Sequence, residues 1–193
     1  MNFPKIYLAS KSPRRRELLT QIGVEFSVLS VDVDERRTID EPPKDYVKRV
    51  AIAKAQSGWA SLDKEDTLPV LGSDTSVVLG DSILGKPEND ADARNMLLQL
   101  SDREHKVMTA VAIVSDSKIL CELSTSTVRF ARLSDADIDW YLTSNEGVDK
   151  AGGYAVQGLA ALFIEQIKGS YSGIMGLPVR ETALMLSKIK NEQ

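Results

Sequence analysis

Apolar residues along the chain fall into short dense runs that predict strands and into spaced stripes that predict helices. "KIYLAS" (5–10) predicts a buried strand, and Pro13 behind a Ser12 N-cap opens a helix over "RRRELLTQIG" that Gly23 stops. "FSVLSVDV" (26–33) predicts a second strand, and the polar loop "DERRTIDEPP" follows it. A long helix is predicted over 44–62, with an apolar stripe of Tyr46, Val47, Val50, Ala51 and Ala55. Next come a strand at 68–74 and a hairpin over 75–87 turning at Gly80 and Asp81. A helix over 90–101 precedes two long strands, "KVMTAVAIV" and "KILCELSTSTVRFARL", suited to antiparallel pairing. Ser134 caps a helix over 134–144, and the Gly-rich turn "AGGYAVQG" leads to a strand at "ALFIEQI". A loop at "KGSYSGIMGLP" (168–178) and a last helix from about Leu177 complete the pattern. This mixed order predicts an α/β protein with a mixed, twisted sheet, a single domain over 1–193 and no internal repeat.

Composition narrows the function. At 193 residues with 42% hydrophobic content the chain is long enough for a substantial core. A net charge of −4 argues against nucleic acid as the main partner, because binding a phosphate backbone needs a basic face. Cys121 and His105 are the only residues of their types, which excludes an intramolecular disulfide and a thiolate zinc cluster, and makes any His-based triad depend on His105. A metal site is thereby pushed toward carboxylate oxygens, hence Mg²⁺ or Mn²⁺. His105 follows the charged run "SDREHK" and is expected at the surface. No apolar run approaches the ~18 residues of a membrane span, and the N-terminus lacks a long apolar leader, so a cytoplasmic protein without membrane partner is expected.

Candidate chemistry begins at "LASKSPRRRELL" (8–19). Strand, Ser-containing loop and helix start present backbone N–H groups and a positive helix end to an anion, and guanidinium forks there make a phosphate clamp. At 100° per residue Arg14, Arg15 and Arg16 spread over ~200° of the helix, so at most two face one ligand. Lys54 lies on the inward face of the 44–62 helix, where it either snorkels past the core edge or reaches into a cleft. Asp74, at the end of the run "LPVLG", suits a catalytic or metal-binding acid, or else bonds turn backbone. Lys86 in "LGKP" returns to the same end of the sheet or is an exposed turn lysine. The charged stretch "DVDERR" is a solvated loop from which one acid could join Asp74 around a metal. The glycine-dense stretches 149–158 and 168–178 match neither GxGxxG nor a Walker loop.

Taken in order, "LASKSPRRRELL", "DE" at 34–35, "AKA" at 53–55, "LGSDTSVVL", "LGKP", "MTAVAI", "DKAGGYAVQG" and "GSYSGIMGLP" resemble the Maf family of nucleoside triphosphate pyrophosphatases. The resemblance covers residues 5–178 and implies an elongated mixed sheet, related to that of the ITPases, with two lobes around a cleft and a homodimer. It also implies hydrolysis of a nucleoside triphosphate to monophosphate and pyrophosphate with a divalent metal. By position, Asp74 is similar to the family's catalytic acid, and Ser10, Arg14, Arg15, Lys54 and Lys86 to its phosphate-binding set. Glu35 is similar to an acid of the site that ligates metal together with Asp74. Arg15, Thr75 and Gln157 resemble the branch that cleaves dTTP and UTP. A glutamine amide offers one donor and one acceptor, matching O4 and N3–H of uracil or thymine, whereas cytosine reverses the pattern. The alternatives are a pyrophosphatase for purine or modified nucleotides and a nucleotide-binding regulator of septum formation.

Overall fold

The computed structural model describes residues 2–63, 65, 68–116 and 118–190. Strand β1 (Ile6–Leu8) runs parallel to β2 (Phe26–Val28), and helix α1 (Pro13–Gln21) makes the crossover between them. Pro13 at the first helical position and Ser12 in extended backbone set where α1 starts. Helix α2 (Pro43–Ala60) then leads to β3 (Val70–Leu79), which is parallel to β1 at its beginning, with Tyr7 opposite Val70 and Leu8 opposite Leu71. Strand β4 (Ser82–Leu84) folds back on the far end of the same β3 edge, Leu84 opposite Val77. Between them, from Ser73 to Ser76, no described strand covers that edge.

The other edge of β3 is paired along nearly its whole length with β5 (Glu104–Ser115), and β5 forms a long antiparallel hairpin with β6 (Lys118–Phe130). Strand β7 (Ile164–Lys168) completes a mixed sheet of order β2-β1-β3-β5-β6-β7, with β4 beside β3. Helix α3 (Asp90–Leu100) precedes β5, and helix α4 (Asp135–Thr143) follows β6 with a full capping box at Ser134 and Asp137. Helices α5 (Tyr171–Met175) and α6 (Val179–Lys190) end the described chain.

Period-two alternation along β5 decides what packs on each face. Ala110, Ala112 and Val114 meet Val47, Ala51 and Ala55 of α2. Val111 and Ile113 point the other way, into a cluster with Leu18 and Leu19 of α1 and Met185 and Leu186 of α6. A third cluster, at the β4 end, joins Val107 and Phe130 to α3 and α4 through Leu97, Leu100, Ile138 and Tyr141. The same face as Val107 carries His105, which is 2% exposed, 2.7 Å from the Tyr154 hydroxyl and edge-on to Phe130. The surface position expected for His105 is therefore wrong: strand parity, not the charged neighbours, decides where it points.

Other expectations are revised too. The strand at 68–74 and the first arm of the 75–87 hairpin are one continuous strand, so Asp74 sits in the middle of β3 rather than at its end. The strand expected over 26–33 pairs only as far as Val28 before its charged continuation leaves the sheet. "ALFIEQI" divides into a 3₁₀ turn, Leu159–Phe163, and β7, while the 168–178 loop contains α5. Among the described residues, no helix is long and apolar enough to cross a membrane.

Candidate active site

The uncovered edge of β3 is where the chemistry collects. Adjacent residues of a strand point to opposite faces, so Asp74 turns toward α2 and Thr75 toward α1 and α5. The α2 stripe that buries Ala51 and Ala55 places Lys54 over the same stretch of β3, and Lys54 Nζ lies 2.9 Å from Asp74 Oδ1. Nζ is also 2.9 Å from Glu35 Oε1, so one ammonium bridges two carboxylates. Of the two readings open for Lys54, the structure shows the one that reaches into a cleft. Glu35 belongs to the loop between β2 and α2, which Arg49 ties down through Glu41 (2.6 and 2.8 Å) and the Arg36 carbonyl (3.0 Å). Tyr46, beside this group, has its phenol pushed up to about 12 by burial and by the charges of Asp74 and Glu35.

On the opposite face Arg15 is fixed by three oxygens. Its Nε donates to the Gly176 carbonyl at 2.9 Å, Nη1 to Ser10 Oγ at 3.0 Å and Nη2 to Thr75 Oγ1 at 3.3 Å. Thr75 Oγ1 is 3.0 Å from Thr109 Oγ1, which donates to the Gly173 carbonyl at 2.7 Å. Arg14 Nε donates to the Met175 carbonyl at 3.3 Å, whereas Arg16 is exposed, as the helical spacing requires. Burial lowers the pKa of Arg15, and the negative charge of Asp74 opposes that shift. Burial likewise lowers the pKa of Arg14.

A third wall comes from the turn after β4 and from residues 149–157. Lys86 and Gln157 are exposed and line the cleft, together with Lys150. Burial lowers the Lys150 pKa, and the cations Arg14 and Lys86 lower it further. The resulting cleft has a volume of about 830 Å³ and is lined by Ser10, Arg14, Arg15, Glu35, Lys54, Asp74, Thr75, Lys86 and Gln157. The nine residues that the family resemblance assigns to the site thus line one space, whereas Arg16, His105 and Cys121 lie outside it.

A family model described as Maf-like protein matches residues 5–189. This chain belongs to the Maf family. It is 50% identical over 188 residues to the dTTP/UTP pyrophosphatase of Shewanella oneidensis, covering 95% of this chain and 97% of that one. To the protein of the same name from Saccharophagus degradans it is 48% identical over 186 residues, covering 96% and 89%. The solved structure of the Staphylococcus aureus Ham1 protein aligns with a TM-score of 0.46 at 16% identity, over 66% of this chain and 72% of that one.

The Maf cleft is divided by charge. Glu35 and Asp74 make one acidic corner around Lys54, and Arg14, Lys86 and Lys150 make a cationic rim. No group of three or more His, Cys, Asp or Glu side chains suited to a metal occurs among the described residues. Glu35 and Asp74, each with one oxygen on Lys54, are the carboxylates of the cleft that could hold a hard cation such as Mg²⁺, which is commonly bound by one or two carboxylates and the substrate's own phosphates. Several residues that shape this Maf site were not legible in sequence. Arg49 and Glu41 belong to no motif in the sequence, and the carbonyls of Met175 and Gly176 carry no side-chain signal at all.

Proposed function

We propose that this protein hydrolyses dTTP and UTP to the nucleoside monophosphate and pyrophosphate. The observation that carries the reading is the Lys54 ammonium held 2.9 Å from both Asp74 and Glu35, in one cleft with Arg14, Lys86 and Lys150. The names of the relatives from Shewanella oneidensis and Saccharophagus degradans support the same substrates. Opening a phosphoanhydride requires charge neutralisation on the phosphate oxygens, an oriented water and a stabilised leaving group.

In this reading Arg14, Lys86 and the Ser10 hydroxyl hold the triphosphate, with the first turn of α1 adding its positive end. The carboxylate of Asp74 orients a water and takes its proton as the new phosphorus–oxygen bond forms. The anhydride bond between the α- and β-phosphates breaks, and pyrophosphate leaves with the electron pair. Lys54 keeps Asp74 and Glu35 in place and adds positive charge beside the reacting phosphate. Glu35 and Asp74 are the residues that would hold Mg²⁺ or Mn²⁺, and such an ion, when bound, neutralises phosphate charge. Arg15 braces Thr75, and Gln157 on the facing wall reads O4 and N3–H of the pyrimidine. The protein is further proposed to act as a cytoplasmic homodimer without a nucleic-acid partner, the last supported by its net charge of −4.

Incubating the pure protein with a panel of triphosphates and Mg²⁺ or Mn²⁺ is expected to yield UMP or dTMP with pyrophosphate. Diphosphate with inorganic phosphate, or no turnover of any substrate, overturns the proposal. Asp74→Asn is expected to lower kcat by roughly 10²–10⁴-fold while leaving nucleotide binding measurable by calorimetry. Activity like that of the wild type in this variant removes Asp74 from the mechanism.

A further inference from the structure

The base-reading assignment leaves a mechanical question, because Gln157 is exposed on an irregular segment and a reader that moves cannot discriminate. Glu146, just beyond α4, supplies what fixes that segment. Its Oε2 accepts the Leu159 N–H at 2.7 Å, and its Oε1 accepts the Ala160 N–H at 3.3 Å and the Tyr141 hydroxyl at 2.9 Å. Leu159 and Ala160 begin the 3₁₀ turn directly after Gln157 and Gly158, so the carboxylate occupies the place where a helix start most favours an anion. Gly158 packs flush against it: a Cβ at that position would fall inside the carboxylate group. Tyr141 is 1% exposed and anchored in the core of the α3–α4 side. A rigid element therefore holds the acid, and the acid holds the loop.

We propose that Glu146 is a positioning residue for pyrimidine selection, clamping the 157–160 segment so that Gln157 presents its amide to the base at a fixed place. This rests on Gln157 being the base reader. The chemistry requires a carboxylate rather than any polar group, because three donors converge on it and an amide offers only one acceptor oxygen while aiming its own donors at N–H groups. Glu146 does not line the cleft, so its effect belongs to substrate selection and KM rather than to the chemical step.

The test compares Glu146→Gln and Gln157→Glu with the wild type, measuring kcat and KM for dTTP, UTP and dCTP alongside melting temperature. Glu146→Gln is expected to raise KM for dTTP and UTP about tenfold, leave kcat within about twofold, and narrow the preference over dCTP. Glu146→Asp, which keeps the charge, is expected to recover part of the preference. A lower melting temperature with KM and preference unchanged overturns the proposal and makes Glu146 a purely structural anchor. If Glu146→Gln does not fold, Tyr141→Phe deletes one donor at nearly constant volume, and its KM is expected to rise about two- to threefold. An unchanged KM and preference in that variant equally overturns the proposal. Gln157→Glu with an unaltered preference instead refutes the base-reading assignment and removes the proposal with it. A changed preference there beside an inert Glu146→Gln refutes the positioning role alone.

Discussion

Arg15 touches a helix-end carbonyl, a serine hydroxyl and a threonine hydroxyl from separate segments, and does so with different nitrogens of one planar fork. That arrangement explains an electrostatic oddity of the sequence, three arginines at the N-terminal turn of a helix where cations are disfavoured. Neutral oxygens receive the fork, and the acidic corner at Asp74 offsets part of the desolvation that lowers its pKa. A lysine carries the same charge but cannot reach three acceptors in a plane. Arg15→Lys is expected to cost about 1–3 kcal/mol of stability, to lower the melting temperature, and to reduce kcat/KM for dTTP at least about tenfold through displacement of Thr75 and Ser10. Calorimetric melting and steady-state kinetics on the same preparation check this. Unchanged values in both would mean that charge alone is required at the position.

Helix α2 and strand β3 carry the Lys54–Asp74 pair, and their separation is set by what is missing between them. A Cβ at Gly72 would lie 2.6 Å from the Ala55 backbone nitrogen and in collision with the Ala51 carbonyl, so only glycine lets helix backbone approach strand backbone this closely. Lys54 is adjacent to Ala55, and Asp74 is two residues past Gly72. Gly72→Ala is expected to push α2 off the sheet, costing about 2–3 kcal/mol and roughly 5–10 °C in melting temperature, and to lower kcat as the 2.9 Å pair opens. Thermal unfolding and kinetics test it; an alanine tolerated without loss would mean that the helix shifts freely, against the close packing seen. The sequence carried the helix boundaries well, because Pro13, Pro43 and Ser134 mark starts by stereochemistry and capping. It misled over β3, where the strand is expected to end at Asp74 and a separate hairpin to begin at Thr75; in the fold Ser73 is satisfied by the Ala110 and Gly176 carbonyls and Asp74 by Lys54, so the strand continues to Leu79. It also hid α5, whose five residues are too few for a periodic signal and whose capping, Ser170 Oγ accepting from the Gly173 N–H, lies inside a glycine-rich run.

At the scale of the molecule, the sheet joins apolar clusters at its two ends, and the cleft opens where β3 passes from one to the other. The residues that line the cleft could be picked out because they stand in short motifs with chemistry in their side chains; the way the molecule holds them could not, because it depends on long-range pairing. His105 shows this most directly. Charged neighbours in the chain suggest water, yet the ring is sealed by Phe130 and Tyr154, and its Nδ1 has no partner among the described residues. Burial pushes its pKa from 6.5 down to about 4, so the folded protein holds a neutral imidazole through a range where the unfolded chain binds a proton. The unfolded state then binds more protons, and stability rises with pH across that window and is lost as pH falls from 6.5 toward 4. The full effect is about 3 kcal/mol. His105→Gln keeps a polar partner for the Tyr154 hydroxyl but cannot titrate. Urea unfolding midpoints measured from pH 7 to pH 4.5 are therefore expected to fall more steeply for the wild type than for His105→Gln, the two curves converging toward the acid end relative to their separation at pH 7. Parallel curves would show that the ring is hydrated in the folded state, and would contradict the seal that Phe130 and Tyr154 form around it.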